Sequence, residues 1–206
     1  MKVILRLAAM ALLLAAAVAR ADAPQAQGLK PGEYLHGDYT QERHLIGLAA
    51  PMVAEGNFAL APGKGLIWRS TKPFDTIVVI TSAGIRQIVG GTEVQRLSAT
   101  RLPFLTRFYG MVGGALIGDW SAVAKDFNLA QTTDAGTWHI VLTPLKPDDL
   151  VAGQLASIAV TGARFATEIE IHRTNGDWER IRILDAAASS DALPQAEAEL
   201  FADKSP

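Results

Sequence analysis

The segment 56–90 constrains the fold most strongly, because it alternates short apolar runs with tight turns. Its sequence, GNFALAPGKGLIWRSTKPFDTIVVITSAGIRQIVG, predicts four short strands in succession. The residues between the strands are typical turn formers: Pro62-Gly63, Lys72-Pro73 and Ser82-Ala83-Gly84. Consecutive strands joined in this way form an antiparallel meander. If such a meander carries apolar residues on a concave face, that face either covers a core or holds an apolar ligand.

Strand patterns continue on both sides of this meander. In 167–172 and 178–184, isoleucines alternate with charged residues, and Asn175-Gly176 between them predicts a tight hairpin turn. The alternation places Ile169, Ile171, Ile181 and Ile183 on one face and glutamates opposite arginines on the other. The predicted strands are 37–46, 52–60, 66–68, 77–81, 85–89, 127–132, 138–143, 158–163, 167–172 and 178–184.

An apolar segment, 102–117, separates the two groups of strands, and its apolar residues recur at helical spacing. It is too short to cross a bilayer. Gly110, Gly114 and Gly118 lie four residues apart, which lets a helix approach a neighbour closely and also weakens it. Two interpretations stay open: a buried helix packed on the sheet, or a lid over an apolar face with its hinge at Gly110 and Gly114. Shorter helices are predicted over 119–126, capped by Asp119, and over 194–201.

The first 21 residues have the pattern of a secretory signal. Lys2 and Arg6 form the positive region, 7–18 is apolar, and Ala19-Arg20-Ala21 is a small-x-small cleavage site. Cleavage two residues later and an uncleaved anchor are the alternatives. We therefore expect a signal peptide at 1–21, a loosely ordered leader at 22–36, and one soluble exported domain at 37–206.

Charge and cysteine content exclude two further classes of protein. Without the three basic residues of the signal, 16 Lys and Arg face 21 acidic residues, so the mature net charge is −5. An acidic surface argues against nucleic acid as a partner. The chain has no cysteine and therefore has no attachment site for the lipid of a bacterial lipoprotein.

The residues that usually carry catalysis form no constellation. The four histidines are scattered without metal-ligand spacing, and no serine lies in a G-x-S-x-G motif. Gly63-Lys64-Gly65 lacks the rest of a phosphate loop, and Asp148-Asp149 is typical of a solvated helix start. Glu168 and Glu170 each have an arginine in reach on the next strand. We therefore expect a protein that is not an enzyme and that needs no cofactor or metal.

Several longer motifs carry a family resemblance over 37–201. They are GDYTQERHL, EGNFALAPGKGLIW, KPFDTIVVIT, GIRQ, WHIVLTPLKP, EIEIHRTNGD and ELFA. In this succession the chain resembles the periplasmic outer-membrane lipoprotein carriers, the LolA/LolB-like proteins, and most closely their divergent LolA-related branch. The resemblance implies an α+β, mainly β fold: an unclosed antiparallel β-barrel whose concave hydrophobic face is covered by short lid helices.

The resemblance also implies a function. Members carry acylated lipoproteins from an inner-membrane releasing complex to an outer-membrane acceptor, and this chain, without a cysteine, resembles the soluble monomeric carrier of the periplasm. The carriers have an arginine before a proline in the strand ahead of the tryptophan, whereas this chain has Leu60-Ala61-Pro62. The cargo is therefore either a lipoprotein or another envelope lipid. An envelope lipid-sensing module on the same scaffold is the alternative function.

The alternation and the resemblance together select residues for the lipid cavity. Inward-facing strand positions and one face of the apolar helix supply them, and Val78 and Ile80 are equally apolar alternatives on their strand. The predicted lining is Trp68, Ile77, Val79, Phe104, Phe108, Met111, Ile140, Leu142, Ile169 and Ile171.

Overall fold

The computed structural model describes residues 28–99, 113–114, 116–117, 119–120, 126–145 and 155–202. The signal at 1–21, most of the predicted apolar helix, the middle of the predicted helix 119–126 and the Asp148-Asp149 pair lie outside the described residues. Among the described residues, no helix has the length and apolar character that a membrane span requires.

Within the described residues, eleven strands form a single antiparallel sheet. The strands are β1 (Tyr34–His44), β2 (Met52–Ala61), β3 (Gly65–Lys72), β4 (Thr76–Thr81), β5 (Gly84–Val89), β6 (Thr92–Ser98), β7 (Phe127–Asp134), β8 (Thr137–Pro144), β9 (Leu155–Gly162), β10 (Ala166–Arg173) and β11 (Trp178–Ser189). A short helix, α1 (Gln195–Phe201), follows β11. Residues 113–114 and 116–117 are also helical.

The sheet consists of two meanders joined by their first and last strands. Its strand order is β6-β5-β4-β3-β2-β1-β11-β10-β9-β8-β7, so β1 pairs with β11 in the middle and β6 and β7 are the two edges. One buried cluster nevertheless takes side chains from β4 on one side and from β8 on the other. The sheet therefore wraps around this cluster without closing, which confirms the predicted unclosed barrel.

The meander of 56–90 is confirmed in detail by the strand register. Leu60 lies opposite Leu66, which lies opposite Ile80, and Phe58, Trp68 and Val78 form the next row. Both rows belong to the buried cluster or pack against it. The turns between the strands lie at 62–64, 73–75 and 82–83, each within a residue or two of the predicted turns at 62–63, 72–73 and 82–84. We call this face of the sheet the inner face and the opposite one the outer face.

Several strand predictions were incomplete, among them that of β3, which runs to Lys72 and not only to the predicted residue 68. β6 was not predicted, because six of its seven residues are exposed and it shows no apolar alternation. β1 begins at Tyr34, before the predicted 37, so the last residues of the proposed leader belong to the sheet. β11 continues through an alanine-rich stretch to Ser189, where pairing with β1, rather than burial of large side chains, holds the strand.

The prediction that Ile77 and Val79 point inward is wrong, because both lie on the outer face. Val79 is 1% exposed and forms a second cluster with Ala59 and Ile67, against which Ile77 and the end of α1 pack. α1 thus covers the outer face of β3 and β4, and both faces of β4 are apolar. A strand that is apolar on both faces carries no period-two signal, so its face assignment cannot be read from alternation.

The docking of α1 gives a first testable prediction. Leu200 and Phe201 pack on the second cluster, and the Arg86 guanidinium donates to the Leu200 carbonyl. Replacing both residues, Leu200→Ser with Phe201→Ser, is expected to lower the free energy of unfolding by about 1–3 kcal/mol, because apolar area returns to water. Urea titration monitored by circular dichroism measures it. An unchanged midpoint would contradict the role of α1 as a cover of the outer face.

Candidate functional site

The inner face carries the largest buried surface among the described residues, and we call its buried set the inner cluster. Its members come from both halves of the sheet and from the helical segment at 116. They are Leu35, Tyr39, Phe58, Leu60, Leu66, Ile80, Leu116, Trp138, Ile140, Leu142, Leu155, Ile158, Val160, Phe165, Ala166, Ile169, Ile171 and Ile183.

Most of the described cavity candidates lie on this inner face. Ile140 and Leu142 on β8 and Ile169 and Ile171 on β10 are buried members of the inner cluster, and Trp68 is half-buried against it. Ile77 and Val79 lie on the other side of the sheet. Phe104, Phe108, Met111 and Gly110 lie outside the described residues. The structure therefore brings together five of the predicted residues, while their role as a lipid lining stays a prediction.

Aromatic rings form the β1–β3 side of the inner cluster. The Trp68 ring stacks on Tyr39, with centroids 4.1 Å apart, and on Phe58, with centroids 5.7 Å apart. Burial raises the pKa of the Tyr39 hydroxyl, and hydrogen bonds to Ser70 and Trp68 offset part of that increase. Tyr39 and Phe58 were not predicted as site residues. Phe58 shares the alternation of Leu60, so the signal was present, whereas Tyr39 lies in an irregular strand with a register shift.

Trp138 forms the opposite, β8–β9 side of the inner cluster. It is 1% exposed, its indole nitrogen donates to the Ala163 carbonyl, and Trp120 meets it edge-on with centroids 5.9 Å apart. Gly162, directly opposite on β9, makes room for the ring, since a Cβ there would lie 2.3 Å from the indole Cζ2. This side is therefore packed around one large ring that requires a glycine neighbour.

The described helical residues sit against the inner cluster. Leu116 is fully buried in it, and Ile117 and Trp120 pack against it. Gly113 faces the sheet, since a Cβ there would lie 3.3 Å from Leu60 Cδ1. The close approach predicted for Gly114 is instead to its own chain: the Asp119 amide donates to the Gly114 carbonyl at 2.8 Å, and a Cβ at Gly114 would lie 2.4 Å from the Asp119 carbonyl oxygen.

A cavity of about 320 Å³ opens between this helical segment and the sheet. Leu60, Leu66, Ile80 and Ile117 give it an apolar lining, and the β2–β3 and β4–β5 turns form its rim. Its volume is at the lower end of the range for small-molecule sites. It is continuous with the inner cluster, because Leu60, Leu66 and Ile80 belong to both.

At the other end of the inner face, the apolar surface ends in charged residues. The Glu179 side chain is buried, and its carboxylate accepts hydrogen bonds from Gln41 at 2.9 Å, Arg43 at 3.0 and 3.2 Å, and Arg173 at 3.3 Å. This charged cluster was not predicted from the sequence. The alternation that turns Ile181 and Ile183 inward also turns Glu179 inward, so the signal was available.

The outer face of β1, β10 and β11 carries the predicted glutamate–arginine pairs. Arg180 lies opposite Glu170 and Arg182 opposite Glu168, and Arg182 also pairs with Glu42 at 2.9 Å. The hydrogen bond from Arg180 is the largest cause that lowers the pKa of Glu170. These carboxylates are therefore structural ion pairs rather than an acid–base couple. Within the described part of the chain no group of His, Asp and Glu could hold a metal ion.

One family model matches nearly the whole chain. The family model described as outer membrane lipoprotein carrier protein LolA-like matches residues 15–203. No curated protein sequence matches the chain significantly.

The solved structures that match the chain include the MucA/MucB complex of Pseudomonas aeruginosa, at 14% identity and a TM-score of 0.47, covering 80% of this chain and 54% of that one. A LolA superfamily protein of Nitrosomonas europaea has 9% identity and a TM-score of 0.44, covering 87% and 94%. LprF of Mycobacterium bovis has 12% identity and a TM-score of 0.35, covering 82% and 98%. The chain thus spans about half the length of the first of these proteins.

Proposed function

Because the chain belongs to the family of outer membrane lipoprotein carrier protein LolA-like proteins, we propose that it binds acyl chains on its inner face. The cargo is an acylated lipoprotein or a related envelope lipid, and the protein delivers it through the periplasm towards the outer membrane. One observation carries the proposal: an unclosed sheet wraps around the inner cluster, into which a helical segment of the chain inserts Leu116.

The energetics of this surface suit a carrier. Each buried methylene of a ligand contributes ~0.8 kcal/mol, so a sixteen-carbon chain gains roughly 12 kcal/mol before the costs of binding. Release from such a site would be slow unless something competed with the ligand. Leu116 lies in the inner cluster, and Ile117 and Trp120 pack against it. A ligand must displace them or share the face with them, and their return lowers the net affinity.

The proposed setting rests on the signal pattern and on the family. A signal at 1–21 exports the chain, and residues 37–206 act as one soluble, monomeric domain. An inner-membrane releasing complex supplies the cargo and an outer-membrane acceptor takes it. The work is binding and release, without a chemical step, cofactor or metal.

Native mass spectrometry of protein purified from the periplasm tests the proposal. We expect a bound species that carries acyl chains, and organic extraction should identify it. Protein stripped of lipid should rebind a fluorescent fatty acid. If no lipid accompanies the protein and the stripped form binds no fatty acid, the proposal fails. A lipid that stays bound while a partner protein associates stably would favour the sensing module instead.

The helical segment provides a prediction about dynamics. If residues 113–114 and 116–117 leave the inner face to admit ligand, their amide hydrogens exchange faster than those of β3 around Trp68, and ligand increases the difference. Hydrogen exchange with mass spectrometry measures both rates with and without fatty acid. Exchange as slow as in β3, and unchanged by ligand, would show that the segment is ordinary core.

A further inference from the structure

The inner face is amphipathic along its length, and three adjacent strands share the pattern. Proceeding towards the same end of the sheet, β1 changes from Leu35 and Tyr39 to Gln41 and Arg43. On β10 the isoleucines 169 and 171 are followed by Arg173, and on β11 the isoleucines 183 and 181 are followed by Glu179. Since side chains two residues apart share a face, each strand ends its inward apolar series in a polar or charged group.

The solvent-accessible side chains around Glu179 are mainly the positively charged arginines. The Glu179 side chain is only 7% exposed, whereas those of Arg43 and Arg173 are 47% and 36% exposed. Both guanidiniums share the one buried carboxylate, and each has further N–H groups beyond the hydrogen bonds that hold it there. The Asp177 carboxylate lies nearby on the exposed turn, where it accepts from the Ile46 amide and Asn175.

We propose that Arg43 and Arg173 bind the anionic headgroup of an amphiphile whose hydrocarbon chain lies along the isoleucines of β10 and β11. Glu179 and Gln41 position the two guanidiniums and do not contact the ligand. From Ile169 to Arg173 the strand advances about 13 Å, a distance that a hydrocarbon chain would span between the charged end and the centre of the inner cluster. Phosphate and carboxylate headgroups both fit, because a guanidinium donates paired hydrogen bonds to either.

This inference rests on the proposed function, since it places the polar end of the same ligand. Two probes that share the same decyl chain separate headgroup binding from acyl-chain binding. Decyl phosphate is anionic and decyl glucoside is neutral, and each is titrated calorimetrically below its critical micelle concentration. Wild-type protein is expected to bind decyl phosphate about tenfold to hundredfold more tightly, as a charge-assisted contact provides.

Single variants then assign the preference to residues. Arg43→Gln and Arg173→Gln each leave Glu179 with two of its three partners, so the fold is retained, as unchanged binding of decyl glucoside would show. Each variant is expected to bind decyl phosphate about tenfold more weakly than the wild type, while its affinity for decyl glucoside stays the same. The matched control is Arg182→Gln, which removes an ion-paired arginine from the outer face of β11 and should change neither affinity.

Three outcomes overturn the inference. Equal affinity of the wild type for both probes would remove the anion site and leave the acyl-chain proposal standing. If the wild type bound neither probe, both the anion site and the acyl-chain proposal would be wrong. A loss with Arg182→Gln as large as with Arg43→Gln would show that the preference reflects the overall charge of the protein and not this cluster.

Discussion

Replacing Ile140 with glutamate is expected to destabilise the protein by about 3 kcal/mol or more and to abolish acyl-chain binding. Ile140 is 1% exposed at the centre of the inner cluster, between Leu142 and Trp138 on its own strand and opposite Val160. A carboxylate there loses its hydration without gaining a partner among the inward residues of β8 and β9. Thermal melts and a fluorescent fatty-acid assay measure the two effects.

The adjacent residue supplies the matched control. Val141 lies on the same strand but points to the outer face, where it is 43% exposed. Val141→Glu should change stability by less than about 0.5 kcal/mol and leave binding intact. If both variants melted and bound ligand like the wild type, the face assignment of β8 would be wrong.

The loss of stability in Ile140→Glu should depend on pH. Burial raises the folded-state pKa of the new carboxyl above its unfolded value of about 4.3. The folded protein therefore holds the proton more tightly than the unfolded chain. The destabilisation is smallest below pH 4.3 and grows as the pH rises through the folded-state pKa. The difference in Tm between Ile140→Glu and the wild type should therefore be smaller at pH 4 than at pH 7.

The second large effect is expected from Trp138→Ala. This change removes a fully buried ring, its hydrogen bond to Ala163 and its contact with Trp120, and leaves Gly162 facing a void. Large-to-small changes of buried aromatics cost about 3–5 kcal/mol, which corresponds to a fall of roughly 6–20 °C in Tm for a domain of this size.

A tryptophan on the outer face tests whether the loss of stability is specific to the inner face. Trp178 is half-buried on the outer face, stacked on His44 with centroids 3.8 Å apart. Trp178→Ala should lower Tm much less than Trp138→Ala, because the site can rehydrate. Equal losses measured by differential scanning calorimetry would contradict the distinction between a packed inner face and a solvated outer face.

The sequence predicted those parts of the fold in which one face is buried and the other solvated. β8 and β10 alternate cleanly, and the inward positions of Ile140, Leu142, Ile169 and Ile171 were assigned correctly. β4 is apolar on both faces because α1 covers its outer side, so alternation could not distinguish Val78 and Ile80 from their neighbours. β6 lies at an edge with almost no buried residue and carries no pattern at all.

The polar end of the inner face was missed for a different reason. Alternation predicts that charged residues on the side of a strand opposite its apolar residues are solvated, and the Glu168, Glu170, Arg180 and Arg182 ladder fits that rule. Glu179 breaks the rule because two arginines and a glutamine from neighbouring strands compensate its burial. That compensation depends on the pairing of β1 with β11, a contact between distant parts of the chain that periodicity cannot reveal.

Contact quenching by a brominated fatty acid tests most directly whether the acyl chain lies on the inner face. Trp68 and Trp138 lie on the inner face, Trp120 packs against the inner cluster, and Trp178 lies on the outer face. Titration of the wild type, Trp68→Phe and Trp178→Phe with dibromopalmitic acid measures which tryptophan emission the bromines reach. Binding on the inner face predicts a larger quenched fraction in Trp178→Phe than in the wild type, and a smaller one in Trp68→Phe. Quenching that survives in Trp68→Phe but disappears in Trp178→Phe would place the ligand on the outer face and contradict the account.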